Sequence, residues 1–145
     1  MKKISLLIAF LFCMGISKSF AGSFTILNIT PCSFQFYSGI GTITDPATGA
    51  LYGFNFGPFT ANQGTTSFAS PNLYPGIQSN AQDILLPYGC VEGIKVIAPG
   101  GIAFHMTAST PYNQFNSPNA PACNNGNTYS MFWNANGCDV VILIM

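Results

Sequence analysis

Ten prolines and fifteen glycines are spread along this 145-residue chain, and that scatter limits its fold more than any other feature. Proline removes a helix donor and clashes with the preceding turn, and glycine costs backbone entropy, so a long uninterrupted helix has almost nowhere to sit. Between these breakers the sequence alternates apolar and polar residues over short runs, the period of half-buried strands. Phe24, Ile26 and Asn28 fall on one face of a first strand, with Thr25, Leu27 and Ile29 on the other. After an interruption at Pro31-Cys32, Phe34 and Phe36 share a face against Ser33, Gln35 and Tyr37. Asp45-Pro46-Ala47-Thr48-Gly49 places Asp first, Pro second and Gly last, which is turn chemistry. It joins residues 41–44 to a strand over 51–56, where Tyr52, Phe54 and Phe56 alternate with Leu51, Gly53 and Asn55. Further strands are predicted over 65–69, 84–86, 92–98 and 102–108, with a turn at Pro99-Gly100-Gly101 and loops over 70–80 and 109–128.

The last hairpin is the clearest element. Asn136-Gly137 is a strong signal for a type I′ turn, which needs positive φ at both central positions. That register sets Trp133 opposite Val140, Met131 opposite Ile142 and Tyr129 opposite Ile144, with Phe132 and Val141 on the other face. A strand apolar on both faces belongs inside a sheet, so the closing segment 138–145 is expected to be an inner strand. About eight or nine short strands with turns between them define the expected fold: all-β, a single-domain antiparallel β-sandwich.

Residues 1–21 read as a cleaved secretory signal peptide. Lys2 and Lys3 precede a short apolar run, and Ser19-Phe20-Ala21 puts small residues at the two positions a signal peptidase inspects. A run of about 13 apolar residues is too short to cross a ~30 Å hydrocarbon core. Phe12, ahead of Cys13, stands where a lipoprotein signal needs a small residue. The expected mature chain, 22–145, is one domain, secreted to the extracellular space or the periplasm, with no integral membrane segment. It keeps one base, Lys95, against four acids, Asp45, Asp83, Glu92 and Asp139. With no cluster of Lys or Arg to displace counterions from phosphates, nucleic acid is excluded as a partner.

Four cysteines remain past the leader: Cys32, Cys90, Cys123 and Cys138. An even count in an exported chain predicts two disulfides. Spacings of 58, 33 and 15 residues provide no C-x-x-C pair for zinc or redox chemistry. Three pairings are open; sequence proximity favours Cys123–Cys138 and, by elimination, Cys32–Cys90.

Phe24-Thr25-Ile26-Leu27-Asn28-Ile29-Thr30-Pro31-Cys32 resembles the opening of many small secreted bacterial β-sandwich proteins, whose mature chains start with an F-x-I-x-N-x-T-x-C-like strand. The ending, from Trp133 through Gly137-Cys138-Asp139-Val140-Val141-Ile142-Leu143-Ile144, is similar to their closing hairpin. The resemblance covers about a fifth of the chain, and it implies a fold and little chemistry.

Groups able to do catalysis are few. His105 is the only histidine; a general base would need a nucleophile motif such as G-x-S-x-G beside it, and none is present. Asp83 and Glu92 would approach each other if 84–86 and 92–98 formed a hairpin, giving a glycosidase-like carboxylate pair. Lys95, three residues past Glu92, points to the opposite face of a regular strand. No calcium loop or cofactor motif occurs. Seventeen aromatics and thirteen asparagines past the leader exceed what a core of this size needs. Tyr112, Asn113, Gln114, Phe115 and Asn116 are the expected ligand-binding patch, because Tyr with Asn and Gln makes adaptable neutral contacts. The low charge also removes the repulsion that keeps copies apart. The expected function is a secreted, non-enzymatic binding or structural protein that takes a neutral carbohydrate, a surface or host protein, or other copies of itself. The alternatives are a small extracellular hydrolase using His105 or the Asp83/Glu92 pair, and a secreted host-targeted effector.

Overall fold

The structure, a computed structural model, describes residues 22–145; the expected leader lies outside the described residues. Among the described residues, eleven strands make two sheets. The first contains β1 (Phe24–Asn28), β5 (Gly64–Phe68), β9 (Gln114–Asn116), β10 (Ser130–Asn136) and β11 (Asp139–Ile144), in the order β5-β1-β11-β10-β9. The second contains β2 (Phe34–Thr44), β3 (Leu51–Phe56), β6 (Gln78–Ser79), β7 (Gly89–Ile97) and β8 (Ala103–Thr107), in the order β6-β3-β2-β7-β8, with β4 (Phe59–Ala61) paired to β2. We refer to them as the β1 sheet and the β2 sheet. Their inner faces meet in one core, so the fold is the expected all-β sandwich-like one. It is not wholly antiparallel, because β1 and β11 run parallel.

The alternation in β1 does what its pattern predicts. Phe24, Ile26 and Asn28 are buried, while Leu27 and Ile29 are exposed. Phe24 sits where the two sheets face each other, in ring contact with Phe36, Phe56, Phe59, Tyr74 and Trp133 at 5.7 to 6.5 Å. Buried Asn28 steers the chain from one sheet to the other. Its Nδ2 donates to the Cys32 carbonyl at 2.7 Å, and its Oδ1 accepts from the Thr30 backbone N–H at 3.0 Å and hydroxyl at 2.7 Å. These bonds satisfy a polar side chain that would otherwise be costly to bury.

Strand β2 runs unbroken through both halves that the sequence separates. Its inward positions are Phe34 and Phe36, then Gly39, Gly41 and Ile43. The two inward glycines stand opposite Phe56 and Phe54, whose rings lie where a Cβ would be: 2.2 Å away at Gly39 and 2.3 Å at Gly41. Large rings on β3 thus fill the room that missing side chains leave on β2.

The closing hairpin differs from expectation by two residues. Asn136 pairs with Asp139, so Gly137 and Cys138 form the loop, and Trp133 lies opposite Ile142 rather than Val140. Gly137, at φ 62°, holds the first loop position, which type II′ turns reserve for glycine. A shift of two leaves every side chain on its expected face. Strand β11 lies inside its sheet, between β1 and β10, as expected.

The cysteine pairing is corrected: Cys32 joins Cys123 and Cys90 joins Cys138. Strand β10 lies between Cys123 and Cys138, and seven residues at about 3.3 Å each hold the two apart. Each therefore bonds across the sandwich, and Cys90–Cys138 ties the start of β7 to the β10–β11 turn. Segment 84–86 is also corrected; it belongs to a 3-10 helix, Asp83–Tyr88. Pro87 has no N–H to give to a ladder, and the Leu85 N–H donates back to the Gln82 carbonyl at 2.9 Å, which coils the segment.

Beside the same turn, one Asp139 carboxylate oxygen accepts from the Ser23 hydroxyl at 2.6 Å and backbone N–H at 2.9 Å. These bonds hold the Asp139 carboxyl below its ordinary value of 3.8. A depressed folded-state pKa supplies stability that is complete above the ordinary value and lost as pH falls through the folded one. Melting temperature is therefore expected to fall on acidification below about pH 4. Asp139→Asn should flatten that fall without abolishing it, because the Thr48 hydroxyl and then the Ala47 N–H lower the Asp45 carboxyl in the same direction.

Candidate functional site

The outer face of the β2 sheet is shaped by two bulges, one on each of its central strands. Phe36 pairs with Val96 and Ser38 with Lys95, so Tyr37 is an extra residue on β2. Ile40 pairs with Gly93 and Gly41 with Val91, so Glu92 is an extra residue on β7. A bulge bends its strand and re-aims the side chain it carries, and bulges gather next to functional sites. Tyr37 stands 49% exposed, with the Lys95 Nζ 5.4 Å from its ring centroid. The Glu92 carboxylate accepts a 2.7 Å hydrogen bond from the Thr42 hydroxyl. The Glu92 bulge breaks the regular alternation from which Lys95 was expected to point away from Glu92; both residues project on the outer face.

Two rows of residues cross this face between the bulges. One runs Ser38–Lys95–His105 over β2, β7 and β8. The other runs Gln78–Asn55–Ile40–Gly93–Thr107 over β6, β3, β2, β7 and β8. Three clefts of about 430, 310 and 180 Å³ adjoin here. The first two share Asn55 and Gln78, the first and third share Ile40, and the last two share Ser38. Both amide side chains are exposed, and neither bonds another described residue, whereas Asn80 is spent on the Gly53 N–H. The floor is low because Gly53 and Gly93 bring no side chain to it.

The five residues expected to bind ligand are divided. Gln114, Phe115 and Asn116 form β9 instead of a loop. Phe115 turns inward and stacks on Phe104 at 3.6 Å, closing the edge where β8 meets β9. The Asn113 carbonyl accepts from the Trp133 backbone N–H at 2.8 Å. Tyr112 stays 58% exposed, and Gln114 and Asn116 lie on the outer face of the β1 sheet. His105 lies on β8 next to Lys95. With 84–86 helical, the hairpin that would oppose Asp83 to Glu92 does not form. Among the described residues, no three His, Cys, Asp or Glu side chains gather where a metal could sit.

A separate cleft of about 400 Å³ lies at one end of the sandwich, between the β7–β8 turn at Pro99 and Gly100 and the loop from Ser117 to Cys123. Tyr129 lines it and is 3% exposed, and its hydroxyl has no hydrogen-bond partner. Burial pushes that hydroxyl's pKa up. Tyr74 is also raised, by burial first and then by the Asp139 charge; its hydroxyl donates to the Gly22 carbonyl at 2.6 Å.

Among the described residues no helix is long and apolar enough to cross a membrane. Fold and face together define a small, disulfide-bonded β-sandwich-like domain with a polar, aromatic-bearing surface. Compared with protein-family models, with curated proteins and with solved structures, the chain matches none.

Proposed function

We propose that this is an exported, non-enzymatic binding protein that takes a carbohydrate across the outer face of its β2 sheet. The observation that carries this reading is the run of adjoining clefts, where exposed Tyr37 stands beside two uncommitted amides, Asn55 and Gln78. Sugars offer C–H faces that pack on aromatic rings and hydroxyls that both donate and accept, and an amide side chain does both in return. Export is supported by the disulfides, which persist in oxidising compartments.

Calorimetric titration with a panel of oligosaccharides tests the reading. Tyr37→Ala and Asn55→Ala should each weaken binding about tenfold or more, the cost of one lost stacking or hydrogen-bonding partner. Because both side chains are exposed, melting temperature should stay nearly constant. Absence of binding across the panel would sink the carbohydrate reading.

A second reading has its own observation. The outer face of the β1 sheet carries exposed Leu27, Ile29, Val141 and Met145 beside half-buried Phe132 and Leu143. Thr25, Ser67, Gln114, Asn116 and Asn134 border them, with the Asp139 carboxylate at the turn end of the face, so two copies would meet there on an apolar patch charged only at its margin. Sedimentation velocity on the same samples reads this: a coefficient that rises with concentration marks self-association.

A further inference from the structure

We propose that the bound carbohydrate carries an anionic group, a carboxylate or a sulfate, and that Ser38, Lys95 and His105 receive it. This inference rests on the carbohydrate reading and names its ligand class more narrowly. Past residue 21 the chain has one lysine, no arginine and one histidine, and the fold makes that lysine and that histidine direct cross-strand neighbours. Directly opposed residues of an antiparallel pair share a face, with Cβ atoms about 4.5–5.5 Å apart.

Placing that lysine and that histidine side by side has no evident structural use. Lysines often guard sheet edges against pairing, yet β7 is an inner strand with β2 and β8 on either side. Lys95 is half-buried there, and among the described residues no carboxylate forms an ion pair with it; its ammonium stands over the Tyr37 ring. Three of the four acids are engaged elsewhere, Glu92 with Thr42, Asp45 in its own turn and Asp139 with Ser23, and the fourth, Asp83, opens the 3-10 helix Asp83–Tyr88.

The Ser38 hydroxyl, the Lys95 ammonium and the His105 ring thus form a line of donors over three strands, and all three line the smallest cleft, of about 180 Å³. A pocket of that size suits one charged substituent. The sugar ring that bears it would reach towards Tyr37 and the clefts beside Asn55 and Gln78.

The test uses the full, oxidised chain and a panel of uronate-bearing and sulfated oligosaccharides, each with its uncharged parent. Acidic members are expected to bind about ten- to hundredfold tighter than their parents, the range of charge-assisted hydrogen bonds. Added salt should narrow the gap. Lys95→Met and His105→Gln should each shrink the acidic-to-neutral ratio, and Lys95→Arg should restore it. This ratio does not move if the substitution merely loosens the fold. The uronate and sulfate arms identify which anion is preferred. Equal binding of acidic and neutral members would overturn this inference and leave the carbohydrate reading standing. Binding of neither class would overturn both.

Discussion

Phe24→Ala is expected to cost about 3–5 kcal/mol of stability, the range for deleting a fully buried phenylalanine. For a domain of this size that corresponds to a melting temperature lower by roughly 10–20 °C. Phe24 has no exposed surface, and its ring touches five others drawn from β2, β3, β4, β10 and the 3-10 turn before Tyr74. Aromatic pairs in tilted or edge-on geometry add about 0.5–1.5 kcal/mol each beyond their area. Among the described residues Phe34, equally buried, makes one such contact, with Tyr129 at 5.0 Å. Chemical denaturation of Phe24→Ala and Phe34→Ala in parallel should therefore give the larger loss at Phe24. The reverse order would mean that the ring cluster adds nothing beyond burial.

Removing either disulfide has an effect of similar size. The bridges close loops of 91 and 48 residues, for which chain-entropy arguments give on the order of 4–5 kcal/mol, and measured removals give about 2–5. Alanine suits both pairs, because serine at fully buried Cys32 would add the cost of a hidden hydroxyl. Cys32→Ala/Cys123→Ala should lose slightly more than Cys90→Ala/Cys138→Ala, by about 0.6 kcal/mol on loop length alone. Peptide mapping without reduction should recover fragments joined 32 to 123 and 90 to 138. A fragment joining Cys123 to Cys138 would refute this connectivity.

These cysteines show where a linear reading stops. The alternation in β1, the Asp45 turn and the inner position of β11 were legible, because each depends on residue type at a local period. The pairing of cysteines depends on which ends of the sandwich the chain brings together, and sequence proximity pointed the wrong way. The candidate site was hidden for a related reason. A bulge is a mismatch between two strands, so Tyr37 and Glu92 look like ordinary members of alternating runs until β2 and β7 are laid side by side. One trace was available: Phe34 and Phe36 occupy even positions, whereas the glycines that the β3 rings cover are Gly39 and Gly41, so the inward phase changes between them. Asn55 and Gln78 come together only because β6, two residues long, adds to the edge of β3. In the segment from Tyr112 to Asn116, aromatic and amide content suggested display, but the inward turn of Phe115 was fixed by a ring on another sheet, Phe104.

The parallel pairing of β1 with β11 sets an order of arrival. A ribosome or an export channel releases the amino end first, so Phe24 emerges well before Val140, its partner in that pairing. Until then β1 has only β5 to hold, and a two-stranded ribbon is marginal in water. The β1 sheet therefore completes only when Asp139–Ile144 are free. A chain cut short before Asp139 would lack the middle of that sheet as well as its end, and would be handled by proteases as unfinished.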